Sequence, residues 1–192
     1  MSLLPEMTDI VARHAPPDLS RSPVPGLRLY GSDAQTRVVP VAYDPMLCLV
    51  LCGAKQTILG ETVYSYRAGD CLVVSAELPV CGSIVEAPYR ALSFDLDPAA
   101  IAGLMLEIDV PALSDQPPPT GIHVTRLEDE LLEPMARLLR LLDRPEEIAV
   151  MTPMIERELI WRLLHSRHVA TLDRDLPLLV ARSRDAVAAA AR

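Results

Sequence analysis

Met46-Leu47-Cys48-Leu49-Val50-Leu51-Cys52 is an apolar run stopped before by Asp44-Pro45 and after by Gly53. Its length and its turn-forming borders make it a strand. Side chains on a strand alternate between faces. Leu47, Leu49 and Leu51 therefore share one side, and Cys48, Val50 and Cys52 the other.

The same signal repeats outward from this run. Leu27–Tyr30 and Val38–Tyr43 precede it. Gln56–Leu59, Thr62–Tyr66, Cys71–Ser75, Val80–Glu86 and Tyr89–Leu96 follow it, separated by Gly60-Glu61, Arg67-Ala68-Gly69-Asp70 and other turn residues. About eight close-spaced strands with no helix between them predict an antiparallel sandwich or barrel. After Asp97-Pro98 the pattern changes. Ala99–Glu107 reads as a short helix, Gln116 to Pro119 as a loop, and Ile122–Arg126 as a last strand returning to the barrel.

Beyond it the apolar spacing is helical. Leu131, Leu132, Met135, Leu138, Leu139 and Leu142 form one stripe. Pro134 is placed in the first turn of that helix, where its missing N–H costs least. Asp143-Arg144-Pro145 ends it. Thr152-Pro153 reads as an N-cap followed by proline at the first helical position. Ile155, Leu159, Ile160, Leu163 and Leu164 give the second helix a wide apolar arc. The pair predicts an antiparallel helical hairpin, which can bury its apolar surface on the barrel, on a partner chain or on both. Residues 1–25 are proline-rich and read as an arm with one short helix at Leu4–His14. The tail stops at Arg192 in an alanine-rich stretch without a helix-ending signal, so a longer gene product is expected.

Composition narrows the function. The 192 residues carry a net charge of −8. An acidic chain of this size lacks the electrostatic footprint that phosphate backbones require. No basic-then-apolar leader opens the chain, and no stretch approaches the ~18 apolar residues that span a bilayer. A cytoplasmic protein without membrane contact is expected. There, Cys48, Cys52, Cys71 and Cys81 would be reduced and packed as small hydrophobes. On one strand Cys48 and Cys52 would stand roughly 13 Å apart at about 3.3 Å per residue, too far to bridge.

Catalytic constellations are missing. None of the four histidines, His14, His123, His165 and His168, falls between Leu27 and Leu96. A barrel metal site or a cysteine nucleophile therefore finds no imidazole partner. His165 and His168 read as a solvated helix end rather than a chelate. No GxSxG, GxGxxG or P-loop occurs. No catalytic residue, metal ligand or cofactor is assigned. Pocket-lining positions are assigned instead: Tyr43, Cys48, Val50, Tyr64, Tyr66, Arg90, Leu92 and Phe94. Arg90 beside tyrosines would hold an anionic or carbonyl ligand, although a solvated place at a strand start is the simpler reading.

Tyr43 to Lys55 resembles the strand-and-turn signature of the N-terminal domain of AraC-type transcriptional regulators. Leu59-Gly60, Tyr64-Ser65-Tyr66, Gly69-Asp70, Leu72 to Ser75, Leu78-Pro79-Val80, Pro88 to Leu92 and Leu96-Asp97-Pro98 keep the family order. So do Arg137 to Pro145 and Arg157 to Leu164. The resemblance covers roughly residues 26–172. It implies a mainly β fold with C-terminal helices: a cupin-like double-stranded β-helix barrel at 26–126, then a dimerising helical hairpin at 127–172. Residues 173–192 would be a linker toward a helix-turn-helix domain that this sequence lacks.

The resemblance implies a non-catalytic domain that senses a small-molecule effector. It would form a homodimer through Leu131, Met135, Leu138, Leu142, Leu159 and Leu163, and would meet DNA only through the missing domain. Two other functions compete: a cupin enzyme, either a metal-free isomerase or a metallo-oxygenase using Asp70, Glu77 or Glu86, and a dimerisation module with no ligand.

Overall fold

Two long strands organise the molecule. In a computed structural model of the chain, which describes residues 3–15, 22–108, 121–127 and 129–165, β3 (Met46–Leu59) and β6 (Leu78–Asp95) run antiparallel from Met46↔Asp95 to Ile58↔Cys81. Sequence reasoning breaks each of them in two, at Gly53 and at Ala87-Pro88. The structure joins the halves. Gly53 adopts φ +76°, and a Cβ there would lie 2.5 Å from the carbonyl oxygens of both Glu86 and Pro88. Only glycine fits so close an approach at positive φ. The register shifts at Val50/Cys52, Cys52/Ala54 and Ala54/Lys55, so Gly53 marks a bulge and bend, not a stop.

On one side of this corner the strand order is β1 (Leu27–Ser32), β6, β3, β5 (Asp70–Val74), β7 (Ile122–Arg126). On the other, β2 (Val39–Tyr43) pairs with β6 and β4 (Thr62–Arg67) pairs with β3. Every pairing is antiparallel. Among the described residues seven strands fold over at the corner into a barrel-like shell, six of them where about eight were expected before Asp97, because two pairs of expected strands are joined.

The bulge also changes which residues face inward. Before it Met46, Cys48 and Val50 pack in the shell's interior cluster, while Leu47, Leu49 and Leu51 belong to the cluster on the other face. After it the odd-numbered Thr57 and Leu59 face inside. One extra residue in a period-two pattern exchanges the faces.

Helices cover the outer cluster. α1 (Leu4–His14) buries Met7, Ile10 and Val11 there. The expected arm is thus, over these residues, a core helix. α2 (Pro98–Met105) is capped by Asp97, whose carboxylate accepts from the Ala99 N–H at 2.8 Å. α3 (Asp129–Arg140) and α4 (Ile148–His165) form the hairpin, joined by two short 3-10 turns. Both prolines sit deeper than expected. Pro134 lies in the second turn of α3, and Pro153 is the sixth residue of α4, so Thr152 is not a cap. Each proline forfeits a backbone bond. Both helices persist because their apolar faces are buried on either side of it, in α4 through Ile148, Met151, Ile155 and Leu159.

Ion pairs tie the helices together. Glu6 grips Arg140 through both carboxylate oxygens, at 2.7 and 2.9 Å. Glu158 joins Arg137 of α3 to Arg162 of α4. Residues 173–192, the Gln116 to Pro119 loop and His168 lie outside the described residues.

Candidate functional site

A cavity of about 450 Å³ opens inside the shell, between β2 and the bent parts of β3 and β6. Strand alternation builds its walls. Val39, Val41 and Tyr43 point the same way from β2, opposite Gly82, Val80 and Leu78 of β6. Met46 and Cys48 come from β3 before the bulge, and Lys55 from beyond it. Tyr30 of β1, with Ile84 and Tyr89 of β6, complete an apolar lining. Arg28, Arg37 and Asp44 stand with them as polar lining.

The hydroxyls are committed to the shell. Those of Tyr43, Thr57 and Tyr66 form a closed triangle of hydrogen bonds at 3.1, 2.7 and 3.4 Å. Tyr30 shares a 3.0 Å bond with the buried Ser93 hydroxyl. Burial pushes the Tyr30 phenol up to about 12 and also raises those of Tyr66 and Tyr89, so these three phenols stay neutral. Burial likewise lifts the Cys48 thiol to about 11. A thiol so held is a packing group and a poor nucleophile.

The cationic groups differ in their engagement. Arg28 pairs with Asp95 at 3.1 Å and Asp44 at 3.4 Å. The Lys55 ammonium stands 5.4 Å from the centre of the Tyr43 ring, within cation–π range. A larger recess of about 710 Å³, between Leu3 and Leu4, Gly69 and the start of α3, is a surface groove outside the shell.

The eight sequence-assigned lining residues separate into three groups. Tyr43 and Cys48 line the cavity. Val50 and Tyr66 are buried in the surrounding cluster, and Tyr64 packs against it half-buried. Arg90, Leu92 and Phe94 do not reach it. Leu92 and Phe94 face the helices. Arg90 bonds the carbonyls of Ser32 and Tyr89 and pairs with Asp33 at 2.6 Å, fastening β1 to β6. Sequence reasoning missed Lys55, Tyr30 and Tyr89. Alternation sets Tyr30 beside Arg28 on β1 and Tyr89 opposite Arg90 on β6, but which of these faces lines the cavity is decided by the closure of the shell. For Lys55 the bulge hides the signal, because counting by two from Val50 leads to Cys52 and Ala54.

The assigned dimer residues are also relocated. Leu131, Met135, Leu138, Leu142, Leu159 and Leu163 all lie buried in the chain's own core. Two apolar helix faces closing on a sheet consume each other's surface, so these six side chains are spent within the chain. The apolar residues that α4 does expose are Val150, Met154 and Trp161. The Trp161 ring stacks on that of His165 at 4.5 Å.

Of the acids weighed as metal ligands, Asp70 accepts from the Arg67 N–H at 2.9 Å in a turn. Among the described residues no three histidine, cysteine or acidic side chains converge as a metal site. Among the same residues no helix is long and apolar enough to cross a membrane.

The sequence profile of the AraC-type transcriptional regulator N-terminus matches residues 23–171. No curated protein sequence matches the chain. Crystal structures of ToxT from Vibrio cholerae share its architecture. An apo ToxT variant aligns with a TM-score of 0.52 at 7% identity, over 81% of this chain. ToxT bound to (E)-4-(8-methylnaphthalen-1-yl)but-3-enoic acid aligns at 0.51 with 9% identity, over 77% of this chain and 57% of ToxT. Unsaturated fatty acid-bound ToxT aligns at 0.51 with 6% identity, over 77% of this chain and 55% of ToxT. The chain spans about 60% of the apo ToxT length. At these identities the likeness is one of fold, a cupin-like β-barrel followed by helices.

Proposed function

Because this chain belongs to the AraC-type transcriptional regulators, whose N-terminal domain it matches over residues 23–171, we propose that it senses a small-molecule effector without catalysing a reaction. One observation carries this reading: the cavity of about 450 Å³ inside the shell, whose size falls among small-molecule sites. Its groups suit holding a ligand, not transforming it. The Tyr30 and Tyr89 phenols and the Cys48 thiol are kept protonated by burial. ToxT, of the same fold, has been solved with an unsaturated fatty acid and with a naphthalenyl butenoic acid bound, which supports a small organic effector here.

We divide the labour by layer. The barrel, residues 26–126, binds the effector through Tyr30, Tyr43, Cys48, Lys55 and Tyr89. The helices of residues 127–172 join two copies, now through the outer face of α4. Val150, Met154 and Trp161 are 64%, 61% and 45% exposed. Their spacing of four and seven residues gives one stripe along a helix, as in a coiled-coil seam. DNA contact belongs to a domain outside these residues, in a cytoplasmic protein. An effector shifts output only if it binds two arrangements of barrel and helices with different affinity.

Thermal-shift screening with small alcohols, aldehydes, sugars and organic acids tests the sensing role. At least one class should raise Tm and change reporter output from the full-length gene product. If every class leaves both unchanged, the sensor reading fails.

A further inference from the structure

The chain as a whole is acidic, with a net charge of −8, yet the cavity is lined by three cations and one acid, Arg28, Arg37, Lys55 and Asp44. Arg28 is already neutralised by Asp44 and Asp95. Among the described residues, no carboxylate lies within ion-pair distance of Lys55 or Arg37. The local surplus of positive charge is therefore carried by these two side chains.

Lys55 is held in place. Its stem lies across Gly82, so close that a Cβ there would be 3.3 Å from Lys55 Cε and 3.8 Å from Nζ. Its ammonium stands 5.4 Å from the centre of the Tyr43 ring. Lys55 is half-buried, and an anionic oxygen is the partner that an ammonium binds best. The rest of the wall is apolar or spoken for. The Tyr43 and Tyr30 hydroxyls are bound to Thr57, Tyr66 and Ser93, which leaves few donors and acceptors for a polyol.

Resting on the effector-cavity reading above, we propose that the effector is an amphipathic organic anion whose acid group sits on Lys55, with Arg37 at the mouth and its apolar body against the valines and tyrosines of the wall. The Tyr43 ring is the placeholder that the acid displaces as the ammonium's partner. Because Tyr43 sits on β2 and in the hydroxyl triangle, the exchange is felt by β2, the strand over the cavity.

Two matched sets of probes test this by calorimetry and thermal shift: decanoate, 1-decanol and decylamine, and cinnamate, cinnamyl alcohol and cinnamylamine. In at least one set the acid should bind at least tenfold more tightly than the alcohol and the amine. Lys55→Met should erase the acid's advantage, and Lys55→Arg should retain it, with circular dichroism confirming that each variant folds. Arg37→Gln, at the exposed rim, should weaken the acid alone and by less. Equal binding of acid and alcohol to the unaltered protein overturns the proposal, and so does an acid preference that survives Lys55→Met. In both cases the effector cavity itself stands. If none of the six binds, the anion assignment fails, and the broader screen above decides separately whether the cavity has an effector.

Discussion

Lys55 and Gly82 form a lock-and-space pair: the lysine stem occupies the room that the absent side chain of Gly82 leaves, with a Cβ at that position only 3.3 Å from Cε. Gly82 lies opposite Thr57 in the register, two positions along from the Lys55↔Ile84 pair and so on the same face. Gly82→Val should fill that room and displace the ammonium from Tyr43. The variant should fold with a Tm lowered by a few degrees, and its effector-induced Tm rise should fall by more than half. A full rise in the variant would show that Lys55 does not meet the ligand.

The hydroxyl triangle should show itself in unfolding free energies. Tyr66→Phe leaves Thr57 bonded to Tyr43 and should cost about 1 kcal/mol by urea denaturation. Thr57→Val strips a partner from two buried phenols and should cost about 2 kcal/mol. Equal costs would mean that the three bonds are not shared as the distances indicate.

The helical hairpin offers two different tests. Leu138→Glu buries an unpaired charge in the core and should destabilise the chain by about 3–5 kcal/mol, so it reports on folding and not on dimerisation. Trp161→Glu combined with Met154→Glu changes exposed positions and should leave Tm nearly unchanged. Analytical ultracentrifugation should then find the unaltered chain dimeric and this pair monomeric. A surviving dimer would move the interface away from α4.

Helix α1 should behave as core. Met7→Ala removes a fully buried side chain and should cost about 2–5 kcal/mol in chemical denaturation. An arm on the surface would cost almost nothing.

Acid should loosen α1 before the barrel. Hydrogen bonds from Arg140 hold the Glu6 carboxyl below its usual range, and the bond to His14 does the same for Asp143. A carboxyl with a depressed folded-state value contributes stability that is present above its unfolded value and lost as pH falls through the folded one. The loss should therefore begin below about pH 4.3. The Glu6–Arg140 pair is partly exposed, so it contributes under about 1 kcal/mol. Glu6→Gln should flatten the stability slope in that acid window and leave stability at neutral pH within the same margin. An unchanged slope would remove Glu6 from the linkage.

Much of the fold was readable locally. The alternation along Met46 to Cys52 correctly assigned Leu47, Leu49 and Leu51 to one face and Cys48 and Val50 to the other. The α1 boundaries Leu4–His14 and the strand Ile122–Arg126 were read as they stand. The site was less readable. Tyr43 and Cys48 line the cavity, whereas Arg90, Leu92 and Phe94 share a face with the helix side of β6. Alternation says which residues of a strand lie together, but not which side is the inside.

Covalent geometry and side-chain chemistry make some properties local: period-two strands, period-3.6 helices, turn glycines and the ordered family signature over most of the chain. The sequence alone determined these. Tertiary structure decided whether Gly53 ends a strand or bends it, because that depends on the carbonyls of Glu86 and Pro88 closing in from a strand more than thirty residues away. The bend exchanges the faces and delivers Lys55 to the cavity beside Tyr43; packing against α1 and the sheet separately commits the hairpin's leucines to this chain's own core. Each of these outcomes follows from contacts between distant segments, which no local periodicity encodes.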